Sequence, residues 1–383
     1  MVKFTHDSMF RGLSKAISED LKKKMVFIGG PRQCGKTTLA QSVLKDYGSG
    51  RYFNWDSDAD RKAILKQQWG HDDRLLVFDE LHKFARWKNW IKGLYDTQKT
   101  IHQFLVTGSA RLDAYRRGGD SLLGRYHYWR LHPFTLSELP KGITAAEAFK
   151  RLMVLGGFPE PFLDGSETQA RRWRQERFDR VIRDDIRDLE NVKDIQTIAL
   201  LVDLLRTRVG GIIAVSSLAQ DLQVAPATIT HWLEILERMY IIFIVKAHAG
   251  NLARTIQKPI KVYFYDNADV EGDEGARFEN LVATHLLKQL QFFQDRDGYR
   301  YELRYIRDRE KREVDFVILK DRHVDEIIEA KWADQTFSSS LYYFAEKLKP
   351  KRATQIVGKL KNSQSHGAVK MISALEAFAG QLR

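Results

Sequence analysis

The run Gly30, Pro31, Arg32, Gln33, Cys34, Gly35, Lys36, Thr37 combines the residue types needed to hold a chain of phosphates. Small residues let the backbone turn its N–H groups inward around an anion. A helix opening at Lys36 and carrying Thr38 would aim its positive dipole end at the same charge. The Lys36 ammonium suits the β- and γ-phosphates, and the Thr37 hydroxyl suits a magnesium ion. About forty residues on, four apolar residues from Leu75 to Phe78 lead to Asp79 and Glu80. This is the pattern of a buried strand beside the loop. Its tip would offer Asp79 to the magnesium shell and Glu80 as base or orienter for an attacking water. Leu105-Val-Thr107-Gly-Ser109 is another strand with a polar tip, where a hydroxyl could sense the γ-phosphate or simply close a turn.

Arg125, in Leu-Leu-Gly-Arg, has two readings: a finger on a neighbouring subunit's nucleotide, or a surface ion pair. Cys34 reads as a small side chain at a variable loop position, with redox control as the alternative.

A second constellation lies in the last third. Glu279 falls early on an expected helix, Asp315 opens a strand, and Glu329 and Lys331 close the next one. The period of two puts Glu329 and Lys331 on one face, with Asp315 on the hairpin neighbour. Carboxylates from Glu279, Asp315 and Glu329 could hold a magnesium ion that activates water against a phosphodiester, with Lys331 orienting the water. The plain alternative is a charged strand edge with Lys331 paired to Glu329 or Asp315. Arg304, Arg307, Arg309, Lys311 and Arg312 flank this region, either as a track for a nucleic-acid backbone or as a solvated hairpin tip.

The elements that must position these groups follow from hydrophobic periodicity. Strands are expected at Met25–Gly30, Tyr52–Trp55, Leu75–Asp79 and Phe104–Ser109, with helices between, including 14–24 and 36–46. Alternation of this kind implies a parallel α/β sheet. Gly156-Gly-Phe-Pro-Glu-Pro is a breaker cluster, followed by helix to about Thr207. Within it, Arg171 to Glu190 reads as a salt-bridged helix or as a polyanion track. Residues 215–245 read as helix, turn, helix and a β-branched run. Pro226 stands near the start of the second helix, and Ile229, Trp232, Leu233, Leu236 and Met239 share its buried face. That is the outline of a winged helix. Its outward candidates Thr228, Thr230, His231 and Glu234 are poorly suited to phosphate, so reading DNA and contacting protein both stay open. Beyond Lys261-Val-Tyr-Phe-Tyr-Asp come a helix near 277–290, strands at 301–307, 313–319 and 325–331, and a final helix or two.

Taken together, these features resemble the AAA+ P-loop ATPases, in particular a bacterial and archaeal group that joins an AAA-type ATPase to an uncharacterised C-terminal domain. The resemblance rests on Gly-Pro-Arg-Gln-x-Gly-Lys-Thr, Phe-Asp-Glu-Leu-His, Val-Thr-Gly-Ser, Leu-Gly-Arg and Gly-Gly-Phe-Pro-Glu-Pro. It implies ATP as nucleotide, and with Arg125 it implies a homo-oligomer. His82 stands where glutamine is expected. Asp315, Glu329 and Lys331 resemble the D and ExK positions of the PD-(D/E)xK nucleases, and Glu279 their helical acid. The expected organisation is a P-loop ATPase domain over 1–150, a helical and winged-helix segment over 151–255, and a nuclease-like α/β domain over 256–383.

The remaining inference is of class. The 383 residues, 43% of them hydrophobic, suffice for two or three cores. No apolar run is long enough to span a bilayer, and Met1 to Arg11 lacks the apolar core of a signal peptide. One cysteine excludes an internal disulfide, so a cytoplasmic protein is expected. The net charge of +12 favours a polyanion partner such as DNA. The functional expectation is an ATPase whose nucleotide state governs DNA binding or magnesium-dependent cleavage by the C-terminal domain. The alternative is an ATP-dependent regulator or assembly switch whose nuclease-like domain binds without cutting.

Overall fold

The structure is a computed structural model and describes residues 12–108, 122–140, 142–181, 194–248 and 259–378. Ser109 lies outside the described residues. The chain divides into two compact units. One runs to Pro133 and includes 138–142; the other takes 134–137 and the chain from Ile143.

The first unit is built on five parallel strands, β1 (Met25–Gly29), β2 (Gly50–Asn54), β3 (Leu75–Asp79), β4 (Gln103–Thr107) and β5 (Tyr126–Arg130), in the order β2-β3-β4-β1-β5. Helices Lys36–Tyr47, Asp58–Leu65 and Trp87–Gln98 fall between strands, as the alternation requires. Both β1 and β3 are buried at every position, which accounts for their unbroken apolar sequence. Phe27, Phe53, Phe78, Phe104, Trp87 and Ile91 share one core cluster. Strands β1 and β3 are not neighbours in the sheet. Strand β4 lies between them, with Asp79 opposite Thr107 and Thr107 opposite Ile28. Adjacency in a parallel sheet is set by crossovers, which strand sequences do not record. Strand β5, buried in its middle and partly exposed at both ends, was not anticipated.

The second unit begins with helices Ala145–Val154, Pro159–Asp164, Glu167–Arg180 and Ile195–Arg206. Helix Val215–Asp221, a turn and helix Pro226–Arg238 follow as expected, and Ile229, Trp232, Leu233, Leu236 and Met239 are all buried. The β-branched run becomes β6 (Ile242–Ala247), which pairs antiparallel with β7 (Ile260–Phe264). This hairpin does not stand apart as a wing. It belongs to an eight-stranded mixed sheet with β8 (Tyr301–Arg307), β9 (Glu313–Lys320), β10 (His323–Lys331), β11 (Arg352–Val357), β12 (Gln364–His366) and β13 (Val369–Ser373). The order is β12-β13-β11-β10-β9-β8-β6-β7. Position 255 therefore falls between two strands that pair with each other. Helix Glu274–Asp297 is longer at both ends than expected, started by Asp273 accepting from the Ala276 N–H and ended by Gly298 at φ +76°. Strands β11 to β13 were unforeseen: none carries an unbroken apolar run, and β12 is exposed throughout. Val314, Val317, Ile327, Leu341 and Phe344 pack between this sheet and helix Ser339–Leu348. Among the described residues no helix is long and apolar enough to cross a membrane.

Candidate functional site

In the first unit the phosphate-loop residues sit between β1 and the helix that opens at Lys36. The turn depends on left-handed backbone: Gly35 at φ +93°, directly before the helix, and Gln33 at φ +61°. Gly30 is needed for a different reason. A Cβ there would lie 2.2 Å from the Leu131 carbonyl oxygen. Cys34 is fully buried, with Sγ 3.6 Å from that same carbonyl, so it packs the floor of the loop. That is the small-side-chain reading.

Lys36 is buried, and its Nζ donates to the Gly30 and Pro31 carbonyls at 3.1 and 2.7 Å. The ammonium thus lies over the loop itself. The Thr37 hydroxyl donates to Asp79 Oδ2 at 2.7 Å, which joins the first turn of the helix to the tip of β3 across β4. Two hydroxyls not assigned to this carboxylate from the sequence also converge on it. Tyr52 on β2 donates to Oδ2 at 2.6 Å, and Thr107 on β4 donates to Oδ1. Burial and the neighbouring Asp79 charge push the Tyr52 phenol well above its ordinary value, so it remains a donor. Tyr52 could have been noted from its place two residues before the end of a strand otherwise suited to packing.

Glu80 follows in left-handed backbone at φ +55°. Its N–H donates to the Thr107 carbonyl, and its carboxylate lies 3.6 Å from both Lys83 Nζ and His82 Nε2. Burial raises the Glu80 carboxyl, against the opposing pull of Lys36 and Lys83. His82, where glutamine was expected, is buried beside it. The structure therefore gathers Lys36, Thr37, Asp79 and Glu80 at one edge of the sheet. Arg125 instead forms a forked ion pair with Asp96, Nε to Oδ1 at 2.8 Å and an Nη to Oδ2 at 3.0 Å. Within this chain it takes the surface-pair reading.

In the second unit the predicted acids also come together. Asp315 on β9 accepts from the Ala330 N–H of β10 at 3.0 Å, so the hairpin neighbour is as expected. Lys331 Nζ lies 2.8 Å from Glu329 Oε1 on the same strand face. The residue not foreseen is Lys261 on β7. Its side chain is 1% exposed, and its Nζ lies 3.2 Å from Glu279, 2.7 Å from Glu313 and 3.0 Å from Asp315. Tyr263 also donates to Glu279 Oε1 at 2.7 Å. Burial alone would lower the Lys261 ammonium, but Tyr263, Asp315, Glu279 and Glu313 outweigh it and hold it well above its ordinary value. Burial, then Asp315, pushes the carboxyls of both Glu279 and Glu329 upward. A lysine inside the apolar run Ile-Lys-Val-Tyr-Phe was the legible signal, because a buried ammonium requires a buried counter-charge.

The two proposed magnesium sites differ under test. Thr37 and Asp79 fit such an ion: a hydroxyl and a carboxylate face one point at the mouth of a phosphate loop. The acids of the second unit do not fit one. One oxygen each of Glu279, Glu313 and Asp315 already carries Lys261, Glu329 Oε1 carries Lys331, and among the described residues no three His, Cys, Asp or Glu side chains are arranged to hold a metal. Three of the five basic flanking residues are matched locally: Arg304 pairs with Glu302, Arg307 with Glu313, and Arg312 with Asp308 and Glu310.

Residues 22–140 match the family described as AAA domain. Residues 146–268 and 274–376 match two domains of unknown function, DUF8612 and DUF4143. The chain thus carries an AAA-type ATPase domain, and its sheet and loop geometry are those of a P-loop fold. It is similar to an uncharacterized protein of Mycobacterium tuberculosis, 26% identical over 63% of this chain and 54% of that one. It is also similar to an uncharacterized protein of Methanocaldococcus jannaschii, 24% identical over 74% of this chain and 72% of the relative. The chain spans about half the length of the mycobacterial relatives it matches. Among solved structures, the Walker-type ATPase of Pyrococcus abyssi aligns over 67% of this chain and 93% of its own, at 14% identity and a TM-score of 0.41.

Proposed function

We propose that this chain binds and hydrolyses ATP in its first unit, and that nucleotide state governs a second unit that engages DNA. The observation carrying the ATPase reading is the convergence of Thr37, Tyr52 and Thr107 on Asp79, beside a loop that carries Lys36. Thr37 and Asp79 would hold magnesium, which when bound neutralises charge on the β- and γ-phosphate oxygens. The loop N–H groups and the Lys36 ammonium bind and orient the phosphates. Glu80, raised by burial, is a better proton acceptor than an exposed carboxylate and serves to orient or deprotonate the attacking water. Thr107 and Tyr52 keep the Asp79 carboxylate from rotating.

Calorimetric titration with ATP and magnesium tests this reading. Wild type should bind, and Lys36→Ala should lose binding or turnover by at least about a hundredfold, the loss of a charge-assisted phosphate contact. Equal binding by both would refute the assignment.

For the second unit, a reading in which the nuclease-like site binds without cutting is favoured by the Lys261 ion cluster. Incubating the protein with plasmid and magnesium or manganese, beside Asp315→Ala, separates the readings. Cleavage lost only in the variant would restore the nuclease.

A further inference from the structure

We propose that Lys261 is the resident cation of the Glu279, Glu313, Asp315 cluster, holding the place a divalent metal would otherwise take. The inference deepens the non-cleaving reading and rests on it. Follow the oxygens. Asp315 Oδ1 takes Lys261, and Oδ2 takes the Ala330 N–H. Glu279 Oε1 takes Lys261 and Tyr263, and a Cβ on Gly210 would meet both its oxygens within 2.8 Å, so the Gly210 backbone lies close against one side of this carboxylate. Glu313 Oε1 takes Lys261 and Oε2 takes Arg307. Glu329 gives Oε1 to Lys331, while its buried Oε2 has no hydrogen-bond partner. A divalent ion needs several oxygens at once at about 2.0–2.6 Å, and in this arrangement only Glu279 Oε2 and Glu329 Oε2 carry no hydrogen bond, the others being directed at cations or at the Ala330 N–H. It would also have to lie against a buried ammonium, a like-charge contact that low-dielectric surroundings strengthen.

The cluster is therefore an internal ion network tying β7, β9 and helix Glu274–Asp297 together. Its chemistry has a distinctive consequence. Removing the ammonium while keeping its apolar stem should free Glu279 and Asp315 to close, with the Glu329 oxygen, on a shared ion. That is a set of hard donors suited to magnesium or manganese.

The test is manganese binding to the full chain without nucleotide, read by electron paramagnetic resonance of free Mn²⁺, for wild type, Asp315→Asn, Lys261→Met and the double variant. Weak uptake at Thr37 and Asp79 is common to all four and cancels. Wild type and Asp315→Asn should bind alike. Lys261→Met should gain one equivalent, at least about tenfold tighter than background, and the double variant should lose it. Uptake by wild type that Asp315→Asn abolishes would overturn the proposal, and this comparison stands even if Lys261→Met fails to fold. A folded Lys261→Met that gains nothing would overturn it as well. Manganese bound at Asp315 without DNA cleavage would sink the inference alone; cleavage would sink the non-cleaving reading too.

Discussion

Asp79 accepts three hydroxyl hydrogens, and each comes from a different element: the loop helix, β2 and β4. A carboxylate tied this way has one orientation, as a magnesium-shell ligand requires. Tyr52→Phe deletes one tie without changing shape. The lost bond is to a charged group but half-exposed, so it should cost about 1 kcal/mol. ATP binding in excess magnesium should survive. The magnesium concentration for half-maximal turnover should rise about fivefold, the same free energy expressed as an equilibrium. An unchanged magnesium dependence would show that the phenol only packs. Asp79→Asn, which removes the charge itself, should abolish turnover while the same titration still detects nucleotide.

Helix Glu274–Asp297 carries both Glu279 and a second buried group, His285. His285 Nδ1 donates to the Leu281 carbonyl at 2.8 Å, so Nε2 is left to accept the Leu136 N–H at 3.0 Å. Charging the ring would put a proton where a donor already points. Burial accordingly pulls His285 down to about 3, against the helping Leu281 carbonyl. Because the unfolded ring still takes a proton near 6.5, the unfolded state binds more protons between pH 6.5 and about 3. The stability this residue contributes is complete above that window and is lost as pH falls through it, by up to about 1.4 kcal/mol per pH unit. Thermal midpoints of wild type and His285→Gln, which keeps an acceptor, should converge from pH 7 to pH 5. Parallel curves would mean the ring is protonated in the fold.

At the scale of the whole molecule, assembly turns on Arg125. Arg125 is paired with Asp96 in an exposed setting, where such a bridge contributes little to stability. It is thus inexpensive to release toward a neighbouring copy's nucleotide. If a homo-oligomer uses it so, ATP turnover per chain should rise with protein concentration, and Arg125→Ala should lower it about 10³-fold or more. Asp96→Asn should then leave turnover intact or raise it. Concentration-independent hydrolysis by a monomer, unaffected by Arg125→Ala, would leave Arg125 as a surface pair. The charge of +12 supports a polyanion partner, and any DNA affinity should fall steeply between low and physiological salt. Filter binding at two salt concentrations measures that slope.

The sequence by itself determines whatever depends on local pattern. The loop from Gly30 to Thr37, the strand ending at Asp79, the helix pair around Pro226 and the Asp315 hairpin all appear where expected. Each is a short-range consequence of backbone sterics or of apolar period. Strands β5 and β11 to β13 were not anticipated because, unlike β1 and β3, they carry no unbroken apolar run, and tertiary pairing alone completes them. The sequence likewise named the acids of the second unit but not the charge that balances them. Lys261 lies 18 residues from Glu279 and 54 from Asp315. Coulomb attraction depends on distance in space, so only the tertiary fold that brings the Lys261 ammonium of β7 to the acids of β9 and the long helix determines which cation those carboxylates hold.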